Sequence, residues 1–422
     1  MVHVLHIVDN INVGGGQRII LDIIKNSNEK EFEMSIFCYE SEIANNHFVD
    51  EINEHNIKII CINKKNPSIS DYKKILKQCN PDVIHIHACT SLNLMICIYL
   101  LKSPALFSIH CNALLQAAET GASISNLFAR LLLKIIPCKV TKNIKSIIKQ
   151  LELNGKTSDN GLAVYKNSKL YANLRSKAGV DHLKIGSKLL YILFKKRRIV
   201  PVPVSKSVSQ SMNTLYELPY DIVYIYNGID TERFVQEQKA DYKIKEPLRI
   251  INVARFSQWK NHELLIDSFA LILKQLSAIL ILVGDGPERL RMLKKTITLG
   301  ISESVKFMGN IKDVGKEMSI SDIYVMCSMD EGFGIALTEA MVVGLPVVVT
   351  NTGGMPEQVV NGWNGKIVEP NDPRILADTI IQLSQNETDR INMGNEAKKN
   401  SELFHVNQMV LQFCDLYKNL KG

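Results

Sequence analysis

In the run EGFGIALTEA (331–340), Glu331 and Glu339 flank a glycine-punctuated turn that opens an apolar-periodic helix. Two carboxylates so placed can hold one phosphorylated, polyhydroxylated ligand at two points. Gly332 and Gly334 permit a sharp turn and a close approach of backbone to ligand, so the amides of Phe333, Gly334 and Ile335 can point at an anion where the helix begins. Glu331, ahead of the helix, is then free to accept hydrogen bonds from sugar hydroxyls. Glu339 lies about one turn inside, at ~1.5 Å rise per residue, within reach of a second part of the same ligand. The competing reading, for this segment alone, is a surface helix with an acidic first turn.

The elements that must position these residues follow from the neighbouring sequence. LRIINVARFSQWKNHELLIDSFALIL (248–273) reads as a β-branched strand, a loop carrying Arg255 and Lys260, and a helix with Asn261 at its N-cap. Two cations on one strand-end loop suit a diphosphate. ILILVGDGPERLRMLKK (279–295) repeats the plan, with Gly284 in the turn and Pro287 near the first helical position. VVVTNTGGMPEQVV (347–360) adds a third strand, with Gly353 and Gly354 before another helix start. Strand, glycine-rich loop and helix in succession predict a parallel α/β sheet whose ligand crevice lies at the strand C-termini.

The segments GGGQRIILD (14–22), SIH (108–110), YNGID (226–230), ARFSQWK (254–260), GDGPE (284–288), EGFGIALTEA (331–340) and GGMPE (353–357) together resemble the family 4 glycosyltransferases, in the order that family carries them. The resemblance covers the chain except for roughly 111–197. It implies a GT-B fold, two doubly wound Rossmann-like domains facing a central cleft. It implies that Arg255 and Lys260 bind the donor diphosphate, Glu331 the donor sugar hydroxyls and Glu339 the nucleotide ribose. By the same resemblance the glycine loop Gly14, Gly15 and Gly16 approaches the phosphates, and His110 sits beside the reacting carbon and the acceptor.

The first half has the same architecture. VHVLHIVD (2–9) reads as a strand, the glycine loop follows, and QRIILDIIKN starts a helix; MSIFCYE, IKIICI and PDVIHIHA continue as short strands. His85 and His87 alternate on the last strand and therefore share a face. A metal pair is conceivable there, but no carboxylate or cysteine at suitable spacing completes it. For His110 a buried, satisfied histidine is the alternative to a functional one.

Across 130–198 there are seventeen Lys and Arg against three acidic residues, in a chain whose formal net charge is +7, so the rest of the chain is net acidic. The charge is interleaved with apolar runs such as LFARLLLKIIPCKV and KLLYILFKKRR. That composition fits a surface docking on anionic lipid. A solvated helical face is the plain alternative, and nucleic acid is disfavoured because no binding motif accompanies the charge.

At 422 residues, with 46% hydrophobic and 22% charged, the chain predicts two globular domains rather than one core. The expected division is 1–228, acceptor-side, with a basic insertion around 111–197; 229–405, binding the nucleotide sugar; and 406–422, a helix which the resemblance returns to the first domain. Asn227 and Gly228 give the turn signal after the strand DIVYIY. Met1 leads straight into a strand without a basic, then apolar, leader, and the apolar stretch 92–101 is half the ~20 residues a spanning helix needs. Nine scattered cysteines, none in a Cys-x-x-Cys pair, read as reduced core thiols. These features predict a cytoplasmic protein, peripheral on the cytoplasmic membrane face if the basic segment docks there.

The resulting expectation is a glycosyltransferase moving a sugar from a nucleotide-diphosphate donor to a saccharide or lipid-linked saccharide, with retention, in cell-surface polysaccharide or glycolipid synthesis. No cofactor or metal is expected, because the chain has no Asp-x-Asp and cations with backbone amides can stabilise the leaving diphosphate. A GT-B nucleotide-sugar epimerase and a non-catalytic sugar-nucleotide-binding subunit are the alternatives.

Overall fold

Along the described residues short runs of β-branched residues alternate with amphipathic stretches, and most become the element their pattern dictates. The computed structural model describes all residues except 9–14, 40–46, 56, 63, 65–66, 88–91, 102, 111–189, 235–236, 240–241 and 245. They form two units: Met1–Gly228 with Val406–Gly422, and Ile229–His405.

The first unit contains β1 (Val2–Val8), α1 (Gly15–Asn26), β2 (Phe32–Cys38), α2 (His47–Glu54), β3 (Lys58–Cys61), α3 (Ile69–Cys79), β4 (Val83–His87), α4 (Leu92–Leu101), β5 (Ala105–Ile109), β6 (Ile199–Pro203) and α5 (Lys206–Tyr216), with α12 (Val406–Lys421) closing the chain. Its six strands run in the order β3-β2-β1-β4-β5-β6, and all pairs are parallel. Every residue of β4 and β5 is buried, as expected for strands covered on both faces. Pro201 and Pro203 have no N–H to donate, which suits β6 to the sheet edge.

The second unit contains β7 (Leu248–Val253), α6 (His262–Ile272), β8 (Ala278–Val283), α7 (Arg289–Thr298), β9 (Val305–Gly309), α8 (Val314–Ser319), β10 (Ile323–Met326), α9 (Ile335–Val343), β11 (Val347–Thr350), β12 (Lys366–Val368), α10 (Pro373–Gln385) and α11 (Glu387–Ser401). Its order, β12-β11-β10-β7-β8-β9, is again parallel and again reverses direction beside the first strand. In both sheets the order reverses between the first and fourth strands of the unit, β1 and β4 or β7 and β10. Ligands of doubly wound sheets bind outside the carboxyl ends of strands at such a switch point. Two apolar layers cover the second sheet, one built on Phe269, Leu280 and Leu376, the other on Tyr324, Leu337 and Met341.

Four local expectations need correction. Gly15 and Gly16 are the first two residues of α1 rather than a preceding loop, and Gly14 lies outside the described residues. Asn261 occupies the N-cap of α6 but has a left-handed backbone and makes no side-chain cap; its amide group instead donates to the Pro370 carbonyl at 3.5 Å. GGMPE opens only a short 3-10 turn, Met355–Glu357. DIVYIY (221–226) forms no strand, although the Ile225 amide donates to Pro203 at 2.9 Å. Among the described residues no helix is long and apolar enough to cross a membrane. Most of the basic segment lies outside those residues; of its tail, Lys195, Lys196 and Arg197 are exposed.

Candidate functional site

Three loops meet at the carboxyl ends of β7, β8 and β10, flanking the switch point of the second unit. The loop after β7 packs directly on the loop after β8. Gly284 has φ +128°, and a Cβ there would stand 2.2 Å from the Ala254 carbonyl oxygen; at Gly286, φ +152°, it would stand 2.5 Å from that of Phe256. Glycine is therefore demanded at 284 by the neighbouring backbone. Arg255, between those two contacts, is exposed and has no ion-pair partner among the described residues. Lys260 ends the 3-10 turn Gln258–Lys260, and Met329 donates its amide to Trp259 at 2.8 Å. That bond ties the β7 loop to the loop after β10 and brings Lys260 onto Glu331, with which it forms a close ion pair. Ser328 also donates to Glu331, at 3.2 Å. Sequence reading gave these two charges separate partners, and here they neutralise one another.

Glu331 is held by its backbone as well. The Gly354 amide donates to its carbonyl at 2.8 Å, and a Cβ on Gly353, φ +55°, would stand 1.9 Å from the same oxygen. The GGMPE segment thus buttresses Glu331. Phe333 is buried, its ring edge-on to Phe404 with centroids 5.3 Å apart. Gly334 is the N-cap of α9 with φ +94°, a conformation that only glycine adopts freely. Ile335 begins the helix, and neither the Gly334 nor the Ile335 amide donates to a described residue. Such N-terminal amides are unsatisfied by the helix itself and carry its positive end. Glu339 is half-buried on α9. Burial, then the charges of Glu339 and Glu331, push the Tyr324 hydroxyl far above its ordinary value.

Behind this turn lies a polar cluster that sequence reading missed. Gln358, 1% exposed, donates through Nε2 to the Phe333 carbonyl and accepts from the Thr338 hydroxyl at 2.7 Å. Its own carbonyl accepts from Asn364 and from Asn400, each at 2.9 Å. The available signal was weak: a polar residue in the otherwise apolar run after GGMPE.

In the first unit, Gly15 and Gly16 start α1 at the carboxyl end of β1, and a Cβ on Gly16 would meet nothing within 4 Å. Arg18, one turn on, is already engaged by Glu51 at 2.9 Å and Asp22 at 3.7 Å. His110 follows β5; its Nε2 is buried without a hydrogen bond, and burial lowers its ring to about 4. It is therefore neutral at pH 7.

Pairing of β1 with β4 sets His6 opposite His85, adding a third histidine to the face that His85 and His87 share. Their nitrogens lie within 4.8 Å of one another, a set of metal-ligand donors that the sequence concealed because strand register is a tertiary property. His6 Nδ1 and His87 Nε2 share a hydrogen bond of 3.0 Å. His85 bonds Tyr417 at 2.6 Å and Ser108 at 2.7 Å. Burial lowers His6 to about 3 and both others well below their ordinary value, so all are neutral. Among the described residues no carboxylate or thiolate joins them, so a dication would enter this core without a compensating charge. Both His85 nitrogens are also already bonded, so ligation would break one of those bonds. The cluster reads as a neutral core in which four of the six ring nitrogens are hydrogen-bonded, His6 Nε2 and His87 Nδ1 being buried without a partner.

Comparison with known proteins agrees with this geometry. Residues 234–400 match the family described as "Glycosyl transferases group 1" and residues 15–138 that described as "Glycosyl transferase 4-like". Both halves of the chain are thus similar to glycosyltransferases of these two families. The second match runs to 138, past the point where the sequence motifs thin. N-acetyl-alpha-D-glucosaminyl L-malate synthase of Bacillus anthracis is 34% identical over 52% of this chain and 59% of its own length. An uncharacterized glycosyltransferase of Methanocaldococcus jannaschii is 30% identical over 60% and 65%. The chain thus spans about three fifths of the curated relatives it matches. Anabaena HepE in complex with UDP and glucose superposes with a TM-score of 0.69 at 17% identity, covering 99% of this chain and 100% of that one. The fold is GT-B, two Rossmann-like units.

Proposed function

We propose that the chain transfers a sugar from a nucleotide-diphosphate donor to a hydroxyl of a saccharide or lipid-linked saccharide, with retention and without a metal. The observation that carries this reading is the convergence of Lys260, Glu331 and the unpartnered amides of Gly334 and Ile335 at the switch point of the second unit. As the bond from the anomeric carbon to phosphate breaks, negative charge grows on the diphosphate. Arg255, Lys260 and the turn amides stabilise it without reorganising at the moment of reaction. Lys260 leaves Glu331 for the phosphates, which frees the carboxylate to accept from sugar hydroxyls. Glu339 is assigned the ribose, Gly14 to Gly16 a second approach to the phosphates, and His110 the acceptor side, where a neutral imidazole can exchange hydrogen bonds.

Uridine is the favoured base, because a solved protein of this fold binds UDP and glucose. Retention is supported by the alpha-glucosaminyl product in the name of the Bacillus anthracis relative, the outcome retention gives from an α-linked donor. The deciding experiment screens UDP-, GDP- and ADP-sugars by thermal shift, since a ligand that binds only the folded state raises the melting temperature. Product from the stabilising donor is then followed with L-malate and with lipid-linked saccharides as acceptors, with and without chelator. Stabilisation by no nucleotide sugar would overturn the donor assignment, and loss of turnover in chelator would overturn metal independence.

A further inference from the structure

Gln358 is a buried residue of this unit whose side chain bonds the proposed anion-binding turn directly. The peptide joining Phe333 to Gly334 is trans, since the only cis bond among the described residues is Glu246–Pro247. A planar trans peptide holds its C=O and N–H pointing in opposite directions. Gln358 Nε2 takes the Phe333 carbonyl, so the Gly334 amide must face away from Gln358. The segment that contains Gln358 treats the preceding peptide pair alike: Gly354 takes the Glu331 carbonyl at 2.8 Å, which turns the Gly332 amide away from that segment.

The side-chain amide of Gln358 could be flipped, placing oxygen against the Phe333 carbonyl, were nothing to fix it. The Phe333 carbonyl fixes it, because a carbonyl oxygen only accepts and so takes the Nε2 donor. The Thr338 hydroxyl then donates to Gln358 Oε1 at 2.7 Å, and the main-chain carbonyl of Gln358 is clamped by Asn364 and Asn400. Thr338 and Asn364 are fully buried and Gln358 nearly so, so the alternative to each bond is an unsatisfied group in the core.

We infer that Gln358 is a positioning residue that aims the Gly334 amide at the donor diphosphate, with Thr338 anchoring the oxygen of its side-chain amide. The inference rests on the proposed reading of the 333–335 turn as a phosphate site. It assigns Gln358 no contact with the ligand.

The test compares UDP with UMP, by calorimetry, in the parent and in Gln358→Met, Gln358→Glu and Thr338→Val. In the parent, UDP binds more tightly than UMP, because the second phosphate meets the aimed amide. Gln358→Met keeps the volume of the side chain and removes the donor. It is expected to lose about ten-fold in UDP affinity, a typical loss for a misdirected bond to a charged group, while UMP affinity stays within about two-fold. Thr338→Val loses less in the same direction. Gln358→Glu sets a carboxylate oxygen against the Phe333 carbonyl at high pH; as pH is lowered through the value that burial has raised, the carboxyl gains a proton to donate, and its UDP affinity relative to the parent recovers. A merely structural role would weaken UDP and UMP alike and would show no such recovery, and that pattern overturns the inference. Equal UDP and UMP affinity in the parent would instead refute the phosphate reading of the turn. Should Gln358→Met fail to fold, the UDP-to-UMP ratios of Thr338→Val and Gln358→Glu decide the matter.

Discussion

Lys260 and Arg255 are proposed to serve the same anion but start from different states. Arg255 is exposed without an ion-pair partner among the described residues, whereas Lys260 must first leave Glu331. Replacing either by alanine is expected to lower turnover by at least ~10²-fold, since each removes a charge aimed at a developing anion. Steady-state rates within a few-fold of the parent would sink the diphosphate assignment. Removing Lys260 also leaves Glu331 without its counter-charge, so Lys260→Ala carries a stability cost that Arg255→Ala does not; exposed pairs are worth about 0–1 kcal/mol and this one is less exposed. The glutamates separate as well. Glu331→Gln is expected to reduce turnover and sugar selection, and Glu339→Gln to weaken nucleotide affinity with a smaller effect on turnover. Free nucleotide bound as tightly by Glu339→Gln as by the parent would remove the ribose role.

Between elements, the site depends on backbone contacts that leave no room for side chains. Gly353→Ala puts a methyl group where the Glu331 carbonyl oxygen stands, at a φ of +55° that disfavours alanine. The β10 loop must then move. Both stability and turnover are expected to fall, the stability by more than the roughly 1 kcal/mol on which point substitutions centre, measurable as a lower urea midpoint. In the first unit, α12 is docked partly by Tyr417, whose hydroxyl reaches His85 at 2.6 Å in a fully buried setting. Tyr417→Phe leaves a buried imidazole nitrogen unpaired, which costs about 1–3 kcal/mol. An unchanged midpoint would mean that the hydroxyl contributes nothing net to docking the helix.

For the molecule as a whole, buried histidines are distributed unevenly. His6, His85, His87 and His110 belong to the first unit, and all are held below their ordinary value by burial. In the second unit His262 alone among the described histidines is lowered, by burial and by Lys260, to about 4. The unfolded chain therefore binds more protons than the folded one between the folded values and 6.5, and stability falls as pH falls through that window. Each such group contributes a slope of up to about 1.4 kcal/mol per pH unit. Glu51, held at about 2 by Arg18 and Lys25 against the opposing effect of burial, joins only at lower pH. The first unit should therefore unfold first on acidification. Both tryptophans, Trp259 and Trp363, lie in the second unit, so far-UV ellipticity is expected to fall at a higher pH than tryptophan emission shifts. Coincident transitions would show that the two units unfold as one.

The order of elements was legible in the chain because local patterns generate it. Continuous apolar runs such as ILILV make strands buried on both faces, glycines end them, and 3.6-residue periodicity makes the helices that follow. That succession, with the EGFGIALTEA and GDGPE segments, was enough for the family and for two Rossmann-like units. Where pattern and neighbours conflicted, the local reading failed: DIVYIY is strand-like but follows an edge strand carrying two prolines, and GGMPE is spent on buttressing Glu331 rather than on starting a helix. The pairing of Lys260 with Glu331, the arrival of His6 beside His85 and His87, and the bond from Gln358 to the Phe333 carbonyl were decided only in three dimensions. Each joins residues 25 or more positions apart in the chain. Such contacts depend on strand order and register, which local propensity does not contain, because both are set by how whole elements exclude water from a shared core.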